Sequence, residues 1–294
     1  MYYPNAAAWQ SAEHKRVALF GMSGLGKTHV ADMLRGTGDW FHYSVDYRIG
    51  TRYMGEHIVD NFKLHAMKVP FLAELLRSDS IYIGSNITFQ NLDPLSTYLG
   101  KPGDPARGGI PIEDYRTRQQ QHRKAEIASL IDAVDFAQRA QTIYGYPNFV
   151  CDTGGSICEV VDPADPNDPV MAALTSAMLP VWIEGSEAHV DELVRRFDRQ
   201  PKPMYYRPEE LEENWAAWLE RTGDAPDAVD PDAFIRFSYR RVLETRQDRY
   251  AAMARHGVTV TAEEIYALRS THDFETLIAQ ALQRAPLAQS SRNT

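Results

Sequence analysis

The residues Gly21-Met22-Ser23-Gly24-Leu25-Gly26-Lys27-Thr28 satisfy G-x-x-x-x-G-K-[ST] at every fixed position. Side chains of these types at this spacing suit one chemistry, the grip of a phosphate chain. Glycines let the backbone take positive φ where it must, so that successive N–H groups and a helix N-terminus point together at an anion. Lys27 is expected to reach the β- and γ-phosphates, and the Thr28 hydroxyl to ligate the Mg²⁺ that bridges them. A turn that merely opened a helix would need neither the lysine nor the threonine. The expected cofactors are therefore ATP and Mg²⁺.

Three further groups of residues can act beside such a loop. Asp46, with Arg48 and Arg52 just after it, places a carboxylate that can orient or deprotonate an attacking hydroxyl near two guanidiniums that can clamp an anion. An aspartate capping the next helix, with solvated arginines around it, is the competing reading. Asp152 ends an apolar run and precedes Thr153-Gly154-Gly155-Ser156. It suits an acid associated with Mg²⁺, and the glycine pair allows a second compound to approach the backbone, although an aspartate in a tight turn has the same local pattern. Arg195, Arg196, Arg199, Lys202 and Arg207 crowd a proline-containing stretch. They read either as a lid that carries positive charge to a transferring phosphoryl group, with Arg196 and Arg199 as the favoured pair, or as a solvated helix end. A fourth cluster, Arg116, Arg118, His122, Arg123 and Lys124, reads as a wet helix face and lacks the interleaved aromatics of a nucleic-acid surface.

These residues need a scaffold, and its outline follows from periodicity. Short apolar runs at 17–20, 40–45, 149–151, 181–183 and 258–260 predict five strands, with Asp46 closing the second. Helical spacing predicts helices from Lys27 to a cap at Gly36, from about Tyr53 to Arg77 with a break at Pro70, and from Glu113 to Tyr144 with Ile127, Leu130, Ile131, Val134 and Ala137 on one stripe. Further helices are expected at 170–178, 187–197, 208–221, 231–256 and 273–283. Residues 79–111 predict loops with one short strand at Ile81-Tyr82-Ile83. Alternating strands and helices imply an α/β fold, a parallel five-stranded sheet with helices on both faces, and ligands at the carboxyl ends of the strands. The organisation expected is one domain over 1–284 with a mainly helical insertion at about 54–145, a lid at about 195–210 and a disordered tail at 285–294.

The chain has 294 residues, 44% of them hydrophobic and 24% charged, which suits a soluble globular protein with a substantial core. Its net charge of −9 disfavours non-specific binding to nucleic acid or to an anionic membrane. No run of 18 apolar residues and no signal-peptide pattern are present, so a cytoplasmic location and no membrane partner are expected. Cys151 and Cys158 match no zinc signature and make no disulfide framework.

In order along the chain, the loop at 21–28, the acid in Ser44-Val45-Asp46, the turn Thr153-Gly154-Gly155 and the arginines after the fourth strand resemble the nucleotide-monophosphate and shikimate kinase group of phosphate-loop proteins. Arg249-Tyr250 with Ala254 adds a weaker match. The resemblance implies that Asp46 engages an acceptor hydroxyl, that Gly154 and Gly155 line the acceptor pocket and that Arg196 or Arg199 contacts ATP. It departs from the group in the roughly one hundred residues between Asp46 and Asp152, and in Ser156 at the turn's third glycine. Three functions are open: an ATP-dependent kinase acting on a small-molecule hydroxyl, a nucleotide-driven switch or ATPase that binds a protein partner through its inserted helices, and a kinase acting on nucleic acid.

Overall fold

The computed structural model describes residues 2–285; the tail expected at 285–294 lies outside the described residues apart from Ala285. In chain order the first elements are α1 (Ala6–Ser11), β1 (Arg16–Phe20), α2 (Lys27–Arg35), β2 (Trp40–Ser44) and α3 (Val45–Arg48), followed by a π-helical segment at Ile49–Tyr53. Next come α4 (Gly55–Ala66), α5 (Pro70–Arg77), α6 (Asp93–Leu99), α7 (Ile112–Thr142) and β3 (Asn148–Asp152). The chain continues through α8 (Pro169–Ala177), β4 (Leu179–Glu184), α9 (Glu187–Arg199), α10 (Pro208–Thr222) and α11 (Pro231–Ala254). It ends with β5 (Val258–Thr261), α12 (Ala262–Ala267) and α13 (Thr271–Arg284).

Among the described residues two compact units form: 2–43, 131–190 and 247–285 make the first, and 44–130 with 191–246 make the second. This differs from the expected single domain with an insertion at about 54–145, because residues far apart in sequence share one core. In the second unit Tyr115 packs in a cluster with Tyr206, Leu211, Trp215, Val229, Phe234, Ile235 and Val242, so the lid segment at 195–210 belongs with the inserted helices.

The first unit holds the five-stranded parallel sheet, in the order β2-β3-β1-β4-β5. β1 pairs in parallel with β3 and with β4, placing Leu19 beside both Asp152 and Val181, and β4 pairs with β5. A strand covered on both faces reads as a continuous apolar run, and Val17 to Phe20 are accordingly buried throughout. Buried Trp9 of α1 donates its indole N–H to the Glu275 carbonyl of α13 at 2.9 Å, and Trp40 meets Phe274 edge-on.

Several local expectations change. β2 ends at Ser44, whose hydroxyl accepts from Tyr47 N–H, so Asp46 sits in the first turn of a short helix instead of closing the strand. No strand forms at 81–83, where Tyr82 is 93% exposed and finds no apolar layer to join; α6 appears further on, with a proline in its first turn. Two short helices go beyond the expectation, although their caps are visible in sequence: Asn5 accepts from Ala8 N–H, and Thr261 and Glu264 form a reciprocal capping box. Gly36 ends α2 with φ −60°, and the left-handed residue is Gly38.

The largest difference lies on α7. Leu130 and Ala137 are buried as expected, but Ile131 is 42% exposed, and the buried face over the second unit carries Gln119, His122, Glu126 and Ser129. Gln119 is braced in both directions, donating to the Met204 carbonyl at 2.8 Å and accepting from Tyr206 N–H at 2.9 Å. The His122 ring stacks on Tyr205 at 4.9 Å, with Nδ1 3.6 Å from Glu126 Oε2. Burial in this core pushes the His122 pKa down to about 4, because the charged form loses its water.

A histidine whose pKa falls on folding binds fewer protons in the folded than in the unfolded state between the two values. His122 therefore stabilises the fold above the unfolded value of about 6.5 and loses that contribution as pH falls toward 4. The loss expected is about 3 kcal/mol, measured as the drop in urea-unfolding free energy between pH 7 and pH 4. His122→Gln should flatten that profile; an equally steep profile in the variant would assign the acid sensitivity elsewhere.

Candidate functional site

The loop between β1 and α2 is shaped by three positive backbone angles: Gly21 at φ 138°, Gly24 at 79° and Gly26 at 93°. At two of these positions space as well as angle demands glycine. A Cβ on Gly21 would lie 2.5 Å from the Ile183 carbonyl oxygen of β4, and one on Gly26 would lie 2.9 Å from Ile265 Cγ2 of α12. Met22 and Leu25 point inward and are buried, whereas Ser23, Gly24 and Thr28 remain exposed. The exposed backbone between two apolar anchors is the part an anion can reach, at the N-terminus of a nine-residue helix. Lys27 is buried, and its ammonium donates to the carbonyls of Gly21 and Met22, each at 2.8 Å. Tyr266 of α12 adds an outer brace, donating its hydroxyl to the Gly24 carbonyl at 2.5 Å.

β3 delivers Asp152 to the same edge. Thr28 Oγ1 donates to Asp152 Oδ2 at 2.6 Å, and the N–H of Gly154 donates to Oδ1 at 3.3 Å. The two residues expected to serve a metal thus meet across 124 positions of sequence. They offer hard oxygen donors, and no group of three or more His, Cys, Asp or Glu suited to a metal ion occurs among the described residues. That sparse set fits Mg²⁺, which takes one or two protein oxygens and completes its shell with water and phosphate. Thr153 is locked by its hydroxyl and N–H to the Leu19 carbonyl. Gly154 turns the chain at φ 75°, and Gly155 lies against Ser23 of the loop, with room for ordinary van der Waals contact only.

Two other residues of this cluster, Glu159 and His42, carry no local pattern that marks them, whereas Arg249 and Tyr250 belong to the weaker match noted in the sequence. Glu159, fully buried, pairs with Arg249 of α11 at 2.5 Å, and the Tyr250 hydroxyl donates to the Gly155 carbonyl at 2.6 Å. His42 of β2 is buried with Nδ1 3.6 Å from Asp32 Oδ1 of α2. Burial lowers its pKa, against the opposing pull of Asp152 and Asp32. Glu159 and His42 meet their partners only through the helices α11 and α2 packed on the sheet, so inspection of neighbouring residues does not find them.

The remaining candidates belong to the second unit. Asp46, Arg48 and Arg52 follow one another through α3 and the π-helical segment, with the Arg48 guanidinium 5.7 Å from the centre of the Tyr53 ring and Arg52 exposed. Gly50 within this segment is buried under Ile87, which would stand 2.8 Å from an added Cβ. Single-turn π segments of this kind recur at functional sites. Arg195 and Arg196 both pair with Glu192 one turn earlier on α9, and Arg199 is exposed at the helix end. The cluster at 116–124 is only in part the wet face expected from its composition, since Lys124 is exposed but the other members are engaged within the protein. Arg116 is paired with Glu113 and Glu212, Arg118 bonds Asn61 and the Tyr98 carbonyl, Arg123 bonds the Tyr205 hydroxyl and His122 is buried. Cations engaged in this way are poorly placed to bind a phosphate backbone.

No protein-family profile matches the chain, and no curated protein does. Among solved structures it is similar to the shikimate kinase of Bacteroides thetaiotaomicron at 16% identity, over 92% of this chain and 95% of that one, with a TM-score of 0.37. No helix among the described residues is long and apolar enough to cross a membrane.

Because the atom facing Gly21 is a backbone carbonyl inside the sheet, it cannot swing aside as a side chain would. Gly21→Ala should cost about 1–3 kcal/mol of unfolding free energy, read by chemical denaturation. A cost below about 0.5 kcal/mol would mean that the loop and β4 can part without penalty.

Proposed function

We propose that this chain is an ATP-dependent kinase that transfers the γ-phosphoryl group to a hydroxyl of a small molecule. The observation that carries the reading is the glycine-shaped loop with Lys27 at its centre and the Thr28–Asp152 pair at its side. Backbone N–H groups of residues 21–28 would cradle the phosphates, and Lys27 would exchange its two carbonyl partners for β- and γ-phosphate oxygens. Thr28 and Asp152 would hold Mg²⁺, which when bound neutralises charge on the phosphate oxygens.

On the acceptor side, Asp46 would orient the hydroxyl and take its proton as that oxygen bonds to the γ-phosphorus and the bond to the β-phosphate oxygen breaks, releasing ADP. Arg48, Arg52, Gly154 and Gly155 would line the acceptor's place. Arg196 or Arg199, leaving Glu192 or the solvent, would meet the charge that spreads over the transferring group. The roles of Asp46 and of these arginines rest on the sequence resemblance. A kinase acting on nucleic acid is disfavoured by the net charge and by the internal pairing of the 116–124 cations.

The second reading, an ATPase or switch that docks a protein, draws on one observation: Leu64, Val69, Phe71 and Tyr82 are large apolar side chains left exposed within the inserted helices and the loop after them. A metabolite extract incubated with γ-labelled ATP separates the two. A kinase labels a small molecule, whereas hydrolysis stimulated by a protein with no labelled product supports the switch.

Two substitutions divide binding from transfer. Wild-type protein should gain about 2.7 kcal/mol of stability from Mg·ATP at one hundred times its dissociation constant, and Lys27→Ala should remove that gain in a thermal-shift titration. Asp46→Asn should keep the gain and lower transfer by about a hundredfold or more. Full turnover in Asp46→Asn would leave the residue as an ordinary member of the first turn of α3.

A further inference from the structure

Asp152 is expected to act through the direction in which its carboxylate points, and the cluster contains a physical means of setting that direction. One oxygen, Oδ2, is taken by Thr28, and the other, Oδ1, faces the N–H of Gly154. Gly154 has φ 75°, and neither Gly154 nor Gly155 offers a side chain to pack at these two positions. Two contacts from the last turns of α11 hold it from outside. The Tyr250 hydroxyl grips the Gly155 carbonyl at 2.6 Å, and four residues further on the Arg249 guanidinium grips Glu159 at the end of the 3₁₀ turn Ile157–Glu159. Tyr250 and Glu159 have no solvent exposure, and the Tyr250 ring is fixed beside Phe20 of β1.

A buried ion pair adds little stability over an apolar pair of the same size, so Glu159 and Arg249 are poorly accounted for as core filling. What such a pair supplies is a fixed geometry. We infer that Arg249 and Tyr250 are positioning residues that clamp the Gly154–Gly155 turn and, through the Gly154 N–H, aim the Asp152 carboxylate toward Thr28, the residue with which it would hold Mg²⁺. The inference rests on the kinase reading for its metal, but the clamp itself is a property of the nucleotide-free protein.

Tyr250→Phe is the sharpest test, because it keeps the ring and removes one hydroxyl. In the nucleotide-free protein, amide hydrogen exchange over residues 152–159 should rise about tenfold, while exchange in β1 and β4 stays unchanged. In Mg²⁺ titrations of ATP hydrolysis at fixed ATP, the half-saturating Mg²⁺ concentration should rise about fivefold, a change that mere loss of packing would not produce. Arg249→Lys should stay within about twofold of wild type in both measurements. Arg249→Gln combined with Glu159→Gln, which replaces the ion pair with an amide pair of similar size, should move both in the direction of Tyr250→Phe. Unchanged exchange in folded Tyr250→Phe and in the double variant overturns the inference, as does faster exchange without any shift in Mg²⁺ dependence. If the wild-type protein binds no nucleotide, the kinase reading falls, and the exchange measurement alone still decides whether α11 clamps the turn.

Discussion

A buried ammonium must be met by oxygen, and Lys27 meets this need with the carbonyls of Gly21 and Met22 inside its own loop. For those carbonyls to converge on one nitrogen, the backbone must curl through angles open to glycine, and this it does at residues 21, 24 and 26. A curl of this kind is the backbone shape in which successive N–H groups can collect an anion. Its tightness brings Gly21 against the Ile183 carbonyl of β4 and Gly26 against Ile265 of α12. The loop therefore needs a sheet in which β4 lies directly beside β1, and the strand order supplies it. The remaining chemistry of the first unit is arranged around that loop: β3 on the other side of β1 brings Asp152 to Thr28, and α12 brings the Tyr266 hydroxyl to Gly24.

The second unit is built on different terms. Its aromatic cluster around Tyr115, Tyr206, Trp215 and Phe234 is an ordinary apolar core, but α7 presents polar groups to the buried side just where a long helix would be expected to present leucines. Gln119 repays its burial by fixing the chain at Met204 and Tyr206. His122 and Glu126 are costlier, since a charge removed from water must be neutralised or paired, and the imidazole responds by staying neutral to well below its usual range. The second unit thus has a core of its own with specific polar contacts and a buried neutral imidazole.

How far the sequence was legible depended on the distance over which each feature is set. The glycine-shaped turn at 21–28 was legible down to single residues, because the Lys27 contacts that shape it close within six positions. All five strands and most of the long helices followed from periodicity to within about two residues, but at β2 a serine cap inside an apolar-aromatic run ended the strand before Val45 and moved Asp46 into a helix. On α7 the length was legible and the buried face was not. An apolar stripe was the natural expectation, whereas the tertiary core takes the side bearing Gln119, His122 and Glu126 and leaves Ile131 to solvent. The basic run at 116–124 failed for a related reason, as Glu212, Asn61 and Tyr205, which answer its charges and donors, come from distant segments.

By itself the sequence determined the backbone shape of the loop, the alternation of strands and helices and hence the α/β sheet, since these arise from backbone conformations and side-chain spacings confined to a few residues. Only the tertiary structure decided which remote groups meet. It joined Thr28 to Asp152 and Glu159 to Arg249, set Ile183 against Gly21, and drew 44–130 and 191–246 into one core. Contacts of this kind depend on strand order and on which side of a helix is taken out of water. Both emerge from the free energy of the whole packed chain, and no short window of residues contains them.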